Sequence, residues 1–255
     1  MTSSSSSNTN IGIENFNGTD FFYTKVSKKN YNNDNYISPQ DTSIERQEGD
    51  NILIMKQKLS NRNYTHQSYG SMSYNKLQDI YLTNYHLFEL LRDERKPYFD
   101  IEFVNDGNTD DIHTNIIKLI RNSLKSINVY VKDNEFKFYG SIGLGEKGLF
   151  KGLNKASYHI VIDNGYKFCS VKDVNKFSKY LKEQIIINKE YENLKFNNTF
   201  VIDMGVYTKN RVFKLPYQSK CYSKRIQYPI GDENPELKHY LISYGINDYK
   251  KIDVS

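Results

Sequence analysis

The chain has 255 residues, 38% hydrophobic and 25% charged, which suits one core of about 150–200 residues plus a polar excess. A formal charge of +5 tolerates a polyanionic partner without demanding one. No window is long and apolar enough to span a membrane, and the start lacks a basic segment followed by an apolar run, so the expectation is an intracellular, non-secreted protein. Two cysteines, Cys169 and Cys221, fit a reducing compartment and cannot form a zinc module alone.

Residues 1–65 open with MTSSSSSNTN and stay rich in Ser, Asn, Thr and Asp, which predicts a disordered tail with one short apolar patch, Ile52 to Met55. The domain is expected to run from His66 to Ser255. Helical spacing of Leu77, Ile80, Tyr81, Phe88 and Leu91 predicts a helix over 77–91, ended by Pro97. YFDIEF (98–103) reads as a strand, and Ile112, Ile116, Leu119, Ile120, Leu124 and Ile127 make an amphipathic helix. Short strands are expected around 129–131 and 135–139, then a glycine-rich loop over 140–152 without Walker spacing. KASYHIVID (155–163) is a strand and 171–187 a helix with Val174, Phe177, Leu181 and Ile185 inward. TFVIDMG ends a third strand at Asp203, and RVFKL forms a fourth. Strands and helices interspersed in this way predict an α+β or α/β domain.

Asp100 and Glu102 lie two apart on one strand, so both carboxylates share a face beside a core. The pair reads either as a solvated face of ion-paired acids or as a seat for Mg²⁺ or Mn²⁺, hard ions that prefer oxygen. Asp203, ending an apolar strand, is either a turn former or a third acid ligand. Lys155, Ser157 and His159 alternate with Ala156, Tyr158 and Ile160, giving a stripe of donors suited to phosphate oxygens. YTKNRVFKLPYQSK (207–220) brings Lys209, Arg211, Lys214 and Lys220 together with aromatics, as a triphosphate or nucleic-acid backbone requires. His66, His86, His113 and His239 show no ligand spacing with the cysteines, so zinc is not expected.

The ordered set Asp-x-Glu, Ser-x-His, then Asp with a downstream Arg/Lys hairpin resembles the archaeo-eukaryotic primase superfamily. It is most similar to the PrimPol-like branch and its relatives in large DNA viruses, over roughly 86–220. HLFELLRDERKPYFDIEF, KASYHIVI and DMGVYTKNRVFKLPYQSK carry the resemblance. It implies a primase-like catalytic fold, with mixed sheets flanked by helices, and DNA-directed nucleotidyl transfer that makes or extends primers. By that resemblance Asp100, Glu102 and Asp203 would hold two divalent ions, Mg²⁺ or Mn²⁺. Lys155, Ser157, His159, Arg211, Lys214 and Lys220 would bind the NTP or dNTP. Lys214 stands where arginine is usual in the family, so charge is kept and the planar fork is not. The implied partners are single-stranded DNA template and a replicative helicase or zinc-module subunit in trans, because no zinc ligands follow PELKHYLISYG. The implied setting is replication or damage tolerance, in a viral factory of the host cytoplasm or in the nucleus. A catalytically inactive template-binding subunit and a metal-dependent nuclease are the alternatives.

Overall fold

Asn17 and Gly18 both adopt left-handed backbone, at φ 48° and 69°, and so form a two-residue turn that matches strand twist. The turn joins β1 (Ile11–Phe16) to β2 (Thr19–Thr24), with Phe16 opposite Thr19. The computed structural model describes residues 11–24, 38–45, 47, 49–59, 65–106, 109–146, 148–196 and 199–254. Within the stretch expected to be a disordered tail lie β1, β2, α1 (Pro39–Glu45) and β3 (Ile52–Leu59), which corrects that expectation for these residues. Residues 1–10 and 25–37 lie outside the described residues. Composition misled because the large side chains these elements bury, Phe21, Phe22 and the run Ile52 to Met55, are few beside the polar residues around them in sequence.

β3 pairs with β4 (Thr65–Met72), and α2 (Tyr74–Ile80) follows. The helix expected over 77–91 therefore ends early, and Leu87–Leu90 is strand β5. Four apolar residues in five cannot be assigned to helix or strand by periodicity alone. Tertiary contacts decide: the Gln218 amide donates to the carbonyls of Tyr81 and Thr83, and its oxygen accepts from the amides of Tyr85 and Leu87. These bonds satisfy the backbone groups that the broken helix leaves open.

β6 (Tyr98–Val104) and α3 (Thr109–Lys125) form as expected. Residues 129–131 are not a strand; Val129 and Val131 are buried anchors after the helix. β7 (Phe136–Leu144) runs into the supposed glycine-rich loop. Gly140 permits this, because a Cβ there would lie 2.3 Å from the Tyr158 ring. β8 (Asn154–Ile162), β9 (Tyr166–Lys167) and α4 (Val171–Ile187) follow. β10 (Lys195–Phe196) and β11 (Thr199–Phe200) make a small hairpin, so the expected third strand is short. Its continuation is one bridge from Ile202 to Ile101. β12 (Val212–Lys214), β13 (Tyr228–Ile230), α5 (Leu237–Tyr240) and β14 (Lys250–Lys251) complete the chain.

The result is an α+β fold whose two larger sheets are both wholly antiparallel and not mixed as expected, which also displaces the α/β alternative. One sheet runs β1-β2-β4-β3-β5-β12 and the other β13-β7-β8-β6; β9 and β14 pair in parallel apart from both. α3 and α4 cover one face of the four-stranded sheet and enclose the larger core. Among the described residues no helix is long and apolar enough to cross a membrane.

Candidate functional site

The register of β6 on β8 sets Asp100 opposite His159 and Glu102 opposite Ser157, while Val104 faces Lys155. On the other side of β8, Tyr139 faces His159, Ser141 faces Ser157 and Gly143 faces Lys155. Opposed residues share a face, so both acids and the whole donor stripe lie on the surface turned away from α3 and α4. Phe99, Ile101, Phe103, Ala156 and Ile160 take the other face and fill the larger core. One alternating pattern thus packs the helices and presents the polar set.

Across from that surface stands β12, the edge of the other sheet, with Lys214 opposite Phe88. The Phe213 ring stacks on His159 at 4.0 Å, and the Tyr139 hydroxyl donates to the Lys214 carbonyl at 2.7 Å. Between the sheets lies a cavity of about 310 Å³. Eight of the nine sequence-predicted site residues line it: Asp100, Glu102, Asp203, Ser157, His159, Arg211, Lys214 and Lys220. Lys155 reaches it through an ion pair with Glu102 at 2.6 Å.

Asp203 arrives by backbone. Its amide donates to the Asp100 carbonyl at 2.8 Å, and the Glu102 amide donates to the Val201 carbonyl at 2.7 Å. The Asp203 carboxylate then caps a single 3₁₀ turn by accepting from Gly205 N at 2.7 Å. Asp203 therefore does two jobs, since its charge also acts on Asp100.

Burial, then Glu102 and Asp203, push the Asp100 carboxyl up to about 7. Burial and the neighbouring Lys220 push Lys214 down to about 8. Burial, then Lys214, hold His159 well below the usual histidine value. Its Nε2 is 3.7 Å from Asp100 Oδ1, beyond hydrogen-bond length. His159 is thus a neutral imidazole. The stabilisation linked to that neutral form is complete above about pH 6.5, the unfolded value, and is lost as pH falls below it. We expect the His159 ring-nitrogen NMR shifts to stay flat between about pH 6 and pH 8; a midpoint near 6.5 would show that the ring is solvated.

The carboxylates do not form a closed cage. Among the described residues, no three His, Cys, Asp or Glu side chains are grouped to hold a metal ion. Glu102 is turned to Lys155 and Asp203 to Gly205. The site nonetheless fits a hard cation. Asp100 Oδ1 is buried without a hydrogen-bond partner, and its carboxyl is destabilised as an anion by two further acids. A divalent ion relieves both.

Unpartnered polar atoms concentrate here. Among the described residues nine buried side-chain atoms lack a hydrogen-bond partner, and five belong to this cavity: Gln57 Oε1, Asp100 Oδ1, His159 Nδ1, and Arg225 Nε and Nη1. Such groups are costly without a ligand, so their clustering marks a polar binding site. Gln57, Ser141, Ser223 and Arg225 also line the cavity and are not among the residues expected from sequence. Ser141 was legible, since Tyr139, Ser141 and Gly143 alternate as strand residues do. Gln57 lies in the stretch whose composition predicts a tail, and nothing in the sequence marks Arg225.

No protein-family model matches the chain, and no curated protein is significantly similar to it. A functional reading therefore rests on the residues and their arrangement.

Proposed function

We propose that the chain is a primase-polymerase of the archaeo-eukaryotic primase type, carrying out template-directed nucleotidyl transfer. The observation that carries this reading is the β6–β8 register, which faces Asp100 and Glu102 with His159 and Ser157 across from the cations of β12 and the loop after it. Acids on one wall and cations on the other suit a metal-bound polyphosphate and suit few other ligands.

In this reading a primer 3′-hydroxyl attacks the α-phosphate of an incoming nucleotide. A new P–O bond forms as the hydroxyl gives up its proton to solvent, the bond from the α-phosphorus to the oxygen bridging to the β-phosphate breaks, and pyrophosphate leaves. Asp100 would hold a divalent ion, Mg²⁺ or Mn²⁺, with Glu102 and Asp203 completing a two-ion site once they leave Lys155 and Gly205; such ions, when bound, would supply charge neutralisation and lower the hydroxyl's pKa. Lys155, Ser157 and neutral His159 donate hydrogen bonds to phosphate oxygens. Arg211, Lys214 and Lys220 orient the triphosphate, so that positioning provides much of the rate. An arriving polyanion also restores full protonation of Lys214. Template DNA would be held through its phosphates, and more weakly as salt rises.

One observation favours a second reading. The Glu102–Lys155 ion pair occupies a carboxylate that catalysis would need for metal, as in a primase-like subunit that only holds template. A single assay separates these readings and the nuclease alternative. The full chain is incubated with Mn²⁺ and a labelled primer on single-stranded DNA, with and without dNTPs or NTPs. We expect stepwise extension only when nucleotides are present. Retarded but unextended primer would favour the binding subunit, and shortening without nucleotides would favour a nuclease. Unprimed template run alongside tests primer initiation.

A further inference from the structure

Arg225 lines the cavity together with Lys214 and Lys220, yet lies outside every motif of the primase resemblance. Its Nε and Nη1 are buried without a hydrogen-bond partner. Among the described residues, none of the ion pairs involves Arg211, Lys214, Lys220 or Arg225, so four cations line one cavity with no carboxylate paired to them. Burying guanidinium donors in this way is unfavourable unless an anion meets them.

The neighbouring strand leaves room for Arg225. Gly143, opposite Lys155 on β7, leaves room for the arginine stem: a Cβ there would lie 3.1 Å from Arg225 Cδ and 3.5 Å from its Cγ. Glycine is not needed for backbone conformation at this position, because its φ is not positive. The space it leaves serves the side chain above it. Arg225 also adds to the crowding of positive charge that lowers Lys214.

We propose that Arg225 is a phosphate-binding residue of this cavity, supplying the planar two-donor fork that Lys214 lacks, with Gly143 keeping its path clear. The ligand class is a polyphosphate, whose oxygens can take two parallel N–H bonds from one guanidinium. The identification of that polyphosphate as a nucleotide's rests on the nucleotidyl-transfer reading; the anion site does not.

The test uses tripolyphosphate as probe, with the full chain, at fixed ionic strength and by calorimetric titration. Arg225→Ala should raise Kd by roughly 10- to 100-fold, the range for losing charge-assisted hydrogen bonds. Arg225→Lys should fall between that variant and the parent, because charge returns without the fork. Gly143→Val should weaken binding without any change of charge. Lys176→Ala, which removes an equal charge from the exposed side of α4, should stay within about twofold. Should Arg225→Ala fail to fold, Arg225→Lys and Gly143→Val carry the test. Absence of tripolyphosphate binding by the parent chain, or arginine variants within twofold of it, overturns the proposal. Binding that depends on Arg225 in a chain that incorporates no nucleotide sinks the polymerase reading and keeps the anion site. Incorporation with an unchanged nucleotide KM in Arg225→Ala does the reverse.

Discussion

Asp100→Asn is expected to abolish metal-dependent nucleotide incorporation, by roughly 10²–10³-fold or more, while making the protein more stable. Both effects have one cause. The carboxyl sits at about 7 because burial, Glu102 and Asp203 all disfavour its charge. The native state therefore holds the Asp100 proton more tightly than the unfolded chain does. Between about pH 4, the ordinary aspartate value, and pH 7, native stability falls as pH rises. Above pH 7 the full penalty of roughly 2–4 kcal/mol applies, and the upper end is a ceiling because the side chain keeps 15% exposure. Asn removes the charge and keeps the shape. The variant should thus melt higher than the parent at pH 8, with the gap closing towards pH 4. Mn²⁺ should raise the parent's melting temperature by mass action and leave the variant's almost unmoved. Parent-like incorporation by Asp100→Asn would remove the acid from the chemistry. A variant destabilised equally at every pH would show that Asp100 holds the fold rather than a cation.

The second large effect concerns Glu89, which acts on the same site through the fold. Glu89 is buried on β5, and its two oxygens accept from the amides of Ile242 and Ser243, both at 2.7 Å. Burial pushes its carboxyl above the ordinary range. Glu89→Ala leaves two buried N–H groups without partners, a loss of about 2–6 kcal/mol. Glu89→Gln keeps one acceptor and should fall between the two. Urea unfolding of the three proteins should give that order, and an alanine variant within about 0.5 kcal/mol of the parent would refute it. Glu89 also opposes Phe213 in the sheet, and Phe213 stacks on His159. Loosening β5 therefore moves one wall of the cavity, so Glu89→Ala should raise the nucleotide KM even under conditions where it stays folded.

Glu89 also illustrates how tertiary context governed what was readable. In LFEL it is one acid among apolar residues, and helical spacing from Leu77 onward absorbs it without conflict. Only a partner more than 150 residues away explains why a carboxylate can be buried there. The N-terminal strands pose the opposite problem. Their local signal was present, since Asn-Gly between ENF and TDFF is a hairpin mark. It was outweighed by composition, which measures how much a segment can bury by itself and not what a neighbouring strand can lend it.

The sequence by itself determined the two helices that pack the larger core, the strands β6 and β8, and the grouping of chemical side chains on one face of each. Those follow from periodicity, which is a property of the local backbone. Tertiary structure alone decided that β6 lies beside β8 in a register matching acid to donor, that β12 crosses to the other sheet and closes a cavity over them, and that Arg225 reaches it. These depend on pairings between distant segments. Such pairings are selected by the total of buried surface and satisfied backbone groups, and no local pattern carries that total.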